Sequence, residues 1–414
     1  MSERRVETVL IGGGMAAAAC AEALRAGGHE GEVALVGREP DPPSYRPACS
    51  KRYLQGHDSR ADTQLHPVDW WGRRGVELLT GKSVTALDAG ERTVKLSTRE
   101  TIRFERALLA TGALVRRLRA PGGELEGIHY LRTLGNADAI REDASRAQRA
   151  VVVGGSYIGC EVAASLTDMG VACTMLMPES EPLSLHFGET VGAFVGALLR
   201  ERGIEIVAGE QLGSFAGDGS RVTHVVSDRG HAIAADLVVV GAGALPDATL
   251  ARRAGLELGD SGGVKASAAL ETSAPGIFAA GDMCEYDSVL HGRPLRIEHW
   301  EAAAAQGRTV AANMLGAARP HTEVPYFWCD LADWLRLEYV GPARSGARQV
   351  VRGSPEDGAF SIWYLEQERL GGALTVGRPG DLEHARHLIA SGQRPDEEAL
   401  RDSSAELAGA RAGD

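Results

Sequence analysis

A strand–turn–helix–strand pattern that occurs twice is the feature that most constrains the fold. In the first copy, an apolar strand at residues 6–11 leads through a turn at 12–14 into an Ala-rich helix over Met15–Ala26 and a strand at 32–36. The second copy places its strand, turn, helix and strand at Arg149–Val153, 154–156, 157–169 and Ala172–Met177. A helix that crosses between neighbouring strands makes them parallel, with a right-handed connection. We therefore predict an α/β protein with two parallel sheets.

The first turn reads Gly12-x-Gly14-x-x-Ala17, which is typical of a dinucleotide-binding turn. The first glycine makes the tight turn, the second lets backbone N–H groups approach a pyrophosphate, and the small third residue lets helix and strand pack closely. The alternative is a Gly-Ala-rich helix start that serves packing alone. Because the turn follows a strand and an acidic residue follows the next strand, we predict that this Rossmann-like domain binds a dinucleotide.

That acidic residue is not in the usual place. Ribose hydroxyls require a carboxylate acceptor close to the end of the second strand. Arg38 comes directly after Val36-Gly37, and the carboxylate is Glu39. Glu39 could accept from the ribose one residue late, or Arg38 could contact the phosphate side of the adenosine, and both interpretations stay open.

Composition argues against several classes of protein. The chain has 414 residues, 44% of them hydrophobic, and no apolar run long enough to cross a bilayer, so we expect no membrane insertion. A formal net charge of −12 argues against nucleic acid as a partner. The six cysteines contain no Cys-x-x-Cys pair and the 12 histidines show no metal-binding spacing, so we expect no metal site and no redox-active disulfide. A short first strand that Gly12 interrupts is not a signal peptide, and we expect a cytoplasmic protein.

Further strands that end in glycine-containing turns, at 106–110, 235–240 and 276–280, extend the pattern to about residue 320. Beyond Pro320, short aromatic-rich strands predict an antiparallel α+β domain. These strands lie at 325–329, 337–341, 359–364 and 370–376. We expect a discontinuous first domain of residues 1–115 and 240–320, a second of 116–239, and a C-terminal α+β domain of 321–414.

Six short segments occur in one order along most of the chain. They are Arg-Pro-Ala-Cys-Ser-Lys (46–51), Ala-Thr-Gly (110–112), Leu-Arg-Thr (131–133), Thr-Ser-Ala-Pro-Gly-Ile-Phe-Ala-Ala-Gly-Asp (272–282), Arg-Ile-Glu-His-Trp (296–300) and Pro-Tyr-Phe-Trp (325–328). Together they resemble the ferredoxin and putidaredoxin reductases and the apoptosis-inducing-factor-like flavoproteins, which are FAD-dependent pyridine nucleotide oxidoreductases. The resemblance implies two Rossmann-like domains, the first for FAD and the second for NADH or NADPH.

The resemblance also implies site residues. Lys51 resembles the lysine beside the flavin, where a cation favours the reduced state, and Glu161 resembles the glutamate that pairs with it. Asp282 resembles the acid that accepts from the FAD ribityl chain, and Trp328 resembles an aromatic residue near the flavin. The alternatives are a surface lysine, a helix-surface glutamate, a helix N-cap aspartate and a core tryptophan. Further FAD contacts are expected at Gly12, Gly14, Ala16, Glu39, Arg46, Val84, Ala110, Gly112, Arg132, Gly281, His299 and Trp300, and NAD(P)H contacts at Gly155, Ser156, Ile158, Gly159, Glu179 and Gly243.

The second turn departs from the dinucleotide pattern at its middle glycine, which is Ser156. A side chain there crowds a pyrophosphate, although its hydroxyl could hydrogen-bond a phosphate. Met177 stands where NADH-specific relatives place an acid, which makes Glu179 the candidate for the adenosine ribose. No Lys or Arg occurs from 172 to 198, so a 2′-phosphate would meet Glu179 and Glu181 without a cation. We expect NADH rather than NADPH.

The resemblance implies a reductase that passes electrons from NADH through FAD to a ferredoxin-type iron–sulfur protein serving an oxygenase or cytochrome P450. Such ferredoxins are acidic, so a basic surface patch is expected. Two candidate patches are Arg116, Arg117 and Arg119, and Arg344, Arg348 and Arg352. One alternative is an apoptosis-inducing-factor-like NADH oxidoreductase that forms a charge-transfer complex, and another is a flavoprotein with impaired NADH use. We expect a monomer or a homodimer.

Overall fold

The computed structural model describes residues 3–404 and 407. Within these residues the chain forms two compact units. The first takes in the described residues up to Tyr45, together with Ala61–Leu114 and Ala244–Phe327. The second takes in Arg46–Arg60, Val115–Gly243 and the described residues from Trp328 onward. The domain boundaries expected at 115, 239 and 320 stay predictions.

A five-stranded parallel sheet forms the centre of the first unit. Its strands run in the order Ile277–Ala279, Arg106–Leu109, Thr8–Ile11, Val33–Val36 and Val76–Leu79. The two strands of the first repeat are buried along their whole length, as expected for a parallel sheet covered on both faces. The helices Met15–Ala26 and Trp300–Met314 pack so closely that a Cβ atom on Gly307 would lie 2.3 Å from the Ala16 carbonyl oxygen.

The remaining elements of the first unit are short. A mixed sheet contains Glu3–Arg5, Thr101–Arg103, Thr93–Leu96 and Val84–Asp88 in that order, and a second contains Val264–Ala266, Cys284–Ser288 and Arg293–Leu295. Two short helices span Val68–Arg73 and Thr249–Arg253. Two further strands, Ala113–Val115 and Ala244–Pro246, lie at the ends of segments of this unit.

The second unit has the same plan. Its parallel sheet has the order Ile128–His129, Leu237–Val240, Arg149–Val153, Ala172–Met177 and Glu205–Ala208. An antiparallel sheet shares its apolar core and contains Leu212–Asp218, Arg221–Ser227 and Ala232–Ala234. The helices are the 3₁₀ helix Arg46–Ser50 and the α-helices Leu134–Ala144, Tyr157–Asp168, Ser184–Phe187 and Glu189–Glu201.

An antiparallel sheet follows, almost all of it in the second unit. Its order is Tyr326–Leu331, Leu335–Val340, Arg369–Val376, Ala359–Glu366 and Arg348–Ser354. The helix Pro379–Ser391 packs on Arg369–Val376, and the short helix Glu397–Arg401 packs on the edge strand Arg348–Ser354.

Charged contacts attach the last helix to this edge strand. Arg348 forms a two-pronged ion pair with Glu397, one arm of which measures 2.7 Å. Arg352, which is 2% exposed, donates to the Ala399 carbonyl oxygen over 2.9 Å and lies 3.2 Å from Asp381. The expected basic patch that included Arg352 is therefore wrong, because this guanidinium is buried.

The predicted fold class is confirmed: two Rossmann-like parallel sheets are followed by an α+β part with an antiparallel sheet. Each strand of the two repeats lies within two residues of its predicted position. In the part of the chain that the structure describes, no helix combines the length and the apolar character needed to span a bilayer.

Candidate functional site

The first glycine turn lies at the carboxyl edge of the first unit's parallel sheet. Gly12 has a φ of +132°, and a Cβ atom there would lie 2.0 Å from the Ala110 carbonyl oxygen, so only glycine fits. Gly14 is the N-cap of the helix Met15–Ala26, and a Cβ atom on it would meet no described atom within 4 Å. The helix thus begins at an open cradle lined by its first backbone N–H groups, an arrangement that binds a pyrophosphate.

The neighbouring strands end beside this turn. The Ala110 N–H donates to the Ile11 carbonyl oxygen over 2.8 Å, and the Ala280 N–H donates to the Leu109 carbonyl oxygen over 3.0 Å. Gly112 follows with a φ of +72°. The candidate residues Ala110 and Gly112 therefore lie at the same sheet edge as the first turn.

The turn at Gly281 and Asp282 is held on both sides within the first unit. The Gly281 N–H donates to Oε1 of the fully buried Gln306 over 2.7 Å, and Arg296 donates to the Asp282 carbonyl oxygen over 2.9 Å. A strand, Cys284–Ser288, follows Asp282. Asp282 is therefore not a helix N-cap, and its half-buried carboxylate stands at a strand end where it can accept from hydroxyl groups.

Arg38 and Glu39 follow the second strand, Val33–Val36. Nη1 of Arg38 lies 3.5 Å from the Asp247 carboxylate. The Glu39 side chain is half-buried, and its carbonyl oxygen accepts from the Gly81 N–H over 2.8 Å. Because Arg38 already lies beside a carboxylate of the protein, this geometry favours Glu39 as the acceptor for a ribose.

Three more candidates in the first unit have structural contacts of their own. Val84 packs against the apolar core. His299 caps the helix Trp300–Met314, because its Nδ1 accepts from the Glu301 N–H over 3.3 Å. The Trp300 ring meets the Tyr45 ring edge-on, with 5.0 Å between centroids. Each of these side chains is thus positioned by the protein itself.

A buried carboxylate network surrounds Glu161 in the second unit. Lys51 donates to Oε1 of Glu161 over 2.7 Å, with 15% of the lysine side chain and 5% of the glutamate side chain exposed. The Ser50 hydroxyl donates to Oε2 over 2.6 Å, and the Asp330 N–H donates to Oε1 over 3.3 Å. The contact expected between Lys51 and Glu161 is present, and neither residue is the surface side chain considered as the alternative.

This ion pair keeps Lys51 charged. Burial disfavours the ammonium, but the Glu161 carboxylate outweighs burial, so the pKa of Lys51 lies above its ordinary value. An ammonium has three N–H donors, and Glu161 takes one of them. The lysine is therefore a partly exposed cation that can act on a negatively charged group placed beside it.

Arg46, Arg132 and Trp328 are also positioned within the second unit. Nη1 of Arg46 donates to the Arg132 carbonyl oxygen over 3.0 Å. The Arg132 N–H donates to Asn136 over 3.1 Å, at the capped start of the next helix. The Arg336 guanidinium lies 5.5 Å from the Trp328 ring centre, which is a cation–π distance.

The second glycine turn is packed backbone against backbone. A Cβ atom on Gly154, whose φ is +113°, would lie 2.5 Å from the Gly241 carbonyl oxygen, and one on Gly159 would lie 2.2 Å from the Gly154 carbonyl oxygen. A Cβ atom on Gly155 would lie 2.4 Å from the sulfur of Met177, which is fully buried. Met177 therefore packs under the turn and does not occupy a surface position from which a side chain could bind a ribose.

Ser156 turns its side chain back onto the protein. It is the N-cap residue of the helix Tyr157–Asp168, but among the described residues its side chain makes no cap hydrogen bond. Its hydroxyl donates instead to the Gly241 carbonyl oxygen over 3.0 Å. Nearby candidates are open: Ile158 is 41% exposed, and a Cβ atom on Gly243 would meet no described atom within 4 Å.

Glu179 follows the strand Ala172–Met177 by two residues. Its carbonyl oxygen accepts from the Gly209 N–H over 3.1 Å. Its Oε2 atom is buried and has no hydrogen-bond donor among the residues that the structure describes. A buried carboxylate oxygen without a donor is costly, and a ribose hydroxyl is a donor that would satisfy it.

The cysteines have no redox arrangement. All six lie in the described part of the chain, are buried and are free thiols. Burial raises the pKa of Cys173 to about 11 and also raises the pKa of Cys160, so neither forms a thiolate near neutral pH. Within residues 3–404 and 407, no group of three or more His, Cys, Asp and Glu side chains could hold a metal ion.

Three residues that position the site were missed from the sequence. Ser50 was part of the Arg-Pro-x-x-Ser-Lys segment, so a signal was present. Gln306 could have been found as a lone amide after the alanine run at 302–305 on a helix with a buried face. Asp330 acts through its backbone N–H, which no side-chain pattern reveals.

Comparison with known proteins identifies the family. The family described as pyridine nucleotide-disulphide oxidoreductase matches residues 6–307, and the reductase C-terminal family matches residues 326–410. The chain is 35% identical to the ferredoxin–NAD(+) reductase component of the anthranilate 1,2-dioxygenase system of Burkholderia cepacia, over 96% of this chain and 98% of that protein. It is 34% identical to putidaredoxin reductase of Pseudomonas putida, over 96% of this chain and 95% of that protein.

Solved structures agree with these relatives. The covalent putidaredoxin reductase–putidaredoxin complex superimposes with a TM-score of 0.92 at 33% identity, covering 98% of each chain. The ferredoxin reductase for the CYP199A2 system of Rhodopseudomonas palustris gives 0.94 at 30% identity, covering 98% of this chain and 100% of that one. The chain therefore belongs to the pyridine nucleotide-disulphide oxidoreductase family, in the group of the ferredoxin and putidaredoxin reductases.

Proposed function

We propose that this chain is an FAD-dependent reductase that passes electrons from NADH to a ferredoxin-type iron–sulfur protein serving an oxygenase or a cytochrome P450. The observation that carries the proposal is the pair of glycine turns, each at the carboxyl edge of its own parallel sheet. They occur in a chain that is similar over nearly its whole length to the ferredoxin–NAD(+) reductase component of a dioxygenase system.

The residues of the first unit fit FAD. The open cradle at Gly14 would hold the pyrophosphate, Glu39 the adenosine ribose, and Asp282 the ribityl hydroxyls. When bound, FAD takes up two electrons from NADH and releases them one at a time. Lys51 would stabilise the negative charge of the reduced flavin, and Glu161 keeps this lysine charged and in place. The remaining FAD contacts expected from the sequence, among them Arg46, Arg132, His299, Trp300 and Trp328, are part of the same proposal.

The residues of the second unit fit NADH. The turn from Gly154 to Gly159 would hold the pyrophosphate, and the buried Oε2 of Glu179 would accept from the adenosine ribose. No Lys or Arg occurs from 172 to 198 to neutralise a 2′-phosphate. We therefore propose NADH in preference to NADPH.

The patch Arg116, Arg117 and Arg119 is the proposed contact for an acidic ferredoxin. All three side chains are exposed, and Arg117 stacks over the Tyr130 ring at 5.0 Å. In the solved complex, putidaredoxin reductase is joined to putidaredoxin, and we propose a partner of that class, met in the cytoplasm by a monomer or a homodimer.

Anaerobic stopped-flow absorbance tests the proposal. NADH should bleach the flavin rapidly, NADPH should do so much more slowly, and cytochrome c should be reduced only after a ferredoxin is added. Lys51→Met should slow flavin bleaching by about a hundredfold, whereas Lys95→Met, which removes an exposed strand lysine, should leave the rate unchanged.

The other outcomes of this experiment are informative. A long-lived long-wavelength band after NADH, with little transfer to ferredoxin, would favour an apoptosis-inducing-factor-like oxidoreductase. Bound flavin that NADH does not bleach would favour a flavoprotein with impaired NADH use. Purified protein without flavin would refute all three functions.

A further inference from the structure

Ser156 occupies the middle position of the second glycine turn, and its hydroxyl has two possible hydrogen-bonding roles. An N-cap serine ordinarily accepts a hydrogen bond from a backbone N–H in the first turn of its helix. Ser156 has the extended backbone of an N-cap, with φ −81° and ψ 177°. Its side chain nevertheless donates to the Gly241 carbonyl oxygen over 3.0 Å, so the N–H groups of the helix start are left to another acceptor.

The backbone around Ser156 has little freedom to adjust. Gly154 is held against the Gly241 carbonyl, and Gly159 is held against the Gly154 carbonyl, at distances that exclude a Cβ atom. A Cβ atom on Gly241 would itself lie 3.3 Å from the Gly159 nitrogen. Since these backbone segments are in mutual contact, the Ser156 side chain is the group that can move when a ligand arrives at the turn.

The position of the hydroxyl proton decides what a phosphate would meet. A serine hydroxyl has one proton and two lone pairs. While the proton points to Gly241, the oxygen presents only lone pairs elsewhere, and these repel a phosphate oxygen. Rotation of the side chain by about 120° to another staggered position redirects the proton. The new hydrogen bond to an anion is charge-assisted and is roughly twice as strong as the neutral bond it replaces.

We propose that Ser156 is a positioning residue whose hydroxyl transfers its hydrogen bond from the Gly241 carbonyl to the pyrophosphate when the dinucleotide binds. The inference rests on the NADH site of the proposed function. It assigns to the serine a contact that the missing glycine would have left to the backbone. The departure at this turn is thus a different way of holding the same phosphates.

The test compares a ligand that has the diphosphate with one that lacks it. ADP and adenosine are titrated calorimetrically into the FAD-loaded oxidised protein. Ser156→Ala removes the donor, and Ser156→Thr keeps a hydroxyl at the same position. Ser145→Ala is a matched control, because the exposed Ser145 hydroxyl also donates to a backbone carbonyl, that of Glu142 at 2.6 Å.

The expected result is a loss that follows the diphosphate. Ser156→Ala should raise the Kd for ADP by about tenfold, as for the loss of one hydrogen bond to a charged group. The Kd for adenosine should stay within about twofold, since a contact remote from the phosphates adds independently. Ser156→Thr should restore most of the ADP affinity, and Ser145→Ala should change neither Kd.

Two results would overturn the inference. One is an unchanged or lower Kd for ADP in Ser156→Ala, and the other is an equal loss for ADP and adenosine, which would indicate a structural role alone. A wild-type protein that binds neither ADP nor NAD+ would instead refute the NADH site itself. If Ser156→Ala does not fold, a crystal structure of the wild type with ADP decides. The Ser156 oxygen should lie within hydrogen-bond distance of a phosphate oxygen, and a persisting bond to Gly241 would overturn the inference.

Discussion

Replacing Glu161 by Gln should destabilise the second unit, and the loss should depend on pH. Gln has the shape of Glu and keeps an oxygen that can accept from Lys51 and from the Asp330 N–H. The substitution therefore removes the negative charge with little change in packing. What remains is a lysine whose side chain is 15% exposed and which no longer has its carboxylate.

The size of the effect follows from this burial. Removing one partner of a buried ion pair costs about 3–5 kcal/mol. Because Lys51 is not fully buried and Gln retains hydrogen bonds, we expect the lower end, about 3 kcal/mol. For a unit of 150–250 residues this corresponds to a fall in Tm of about 6–12 °C.

The pH dependence has a definite sign. In the wild type, Glu161 raises the pKa of Lys51, so the lysine contribution is lost only as the pH rises through that raised value. In Glu161→Gln, burial dominates and lowers the pKa of Lys51. Between the lowered value and about 10.4 the unfolded chain then binds more protons than the folded one. The free energy of unfolding of the variant therefore rises with pH, by at most about 1.4 kcal/mol per pH unit, and its deficit shrinks.

Thermal and urea unfolding of FAD-saturated protein at pH 7, 8 and 9.5 would measure this deficit. Glu142→Gln is the control, because Glu142 pairs with Arg146 at 3.3 Å on the surface, with 74% of the glutamate side chain exposed. It should change stability by less than about 0.5 kcal/mol. A deficit below about 1 kcal/mol for Glu161→Gln, smaller than a buried pair requires, or one that is constant from pH 7 to 9.5, would refute this reasoning.

Three further predictions concern other parts of the two units. Gly12→Ala should abolish FAD binding, measured as the flavin-to-protein ratio, because the new Cβ would lie 2.0 Å from the Ala110 carbonyl oxygen; Gly72→Ala, where no described atom lies within 4 Å, should retain FAD, and an equal ratio in both would contradict the cradle. Met177→Glu should lower the Tm without improving the KM for NADH, because residue 177 is fully buried and the new carboxylate would be too; a lower KM would show that the position is accessible after all. Burial lowers the pKa of His321 to about 4, so its folded form resists protonation, and stability should fall as the pH drops from about 6.5 toward 4. His321→Gln, which can keep the hydrogen bond to Thr309, should reduce that acid sensitivity by up to about 3 kcal/mol, seen as a smaller Tm difference between pH 7 and pH 4.5, and unaltered acid sensitivity would argue against the histidine.

The two parallel sheets could be predicted because their signal is local. Continuous apolar strands, glycine turns and helices follow one another within about 30 residues in each repeat. The bounds of Met15–Ala26, Arg149–Val153 and Ala172–Met177 agree with the structure to the residue. The edge strand Arg348–Ser354 was missed because its buried positions include Arg352, and that burial depends on Ala399 and Asp381 later in the chain.

The site was less predictable, because its contacts join distant residues. Nothing near Lys51 in the sequence indicates Glu161, and only the resemblance to known reductases paired them. Met177 looked like a missing acid on a surface, whereas the structure buries it beneath Gly155. Likewise, the hydroxyl at Ser156 could be predicted to be near the turn, but its partner at Gly241 becomes visible only when the two strand ends are side by side.

The short helix Glu397–Arg401 also affects how this protein behaves toward copies of itself. It covers Arg348–Ser354, which is the last strand of its sheet and would otherwise offer unpaired backbone groups to any extended chain. Loss of this helix to a protease would take away the partner of Arg348 and one acceptor of the buried Arg352 in a single cut. The sheet would then be open to strand addition, so clipped molecules should aggregate while intact ones stay dispersed.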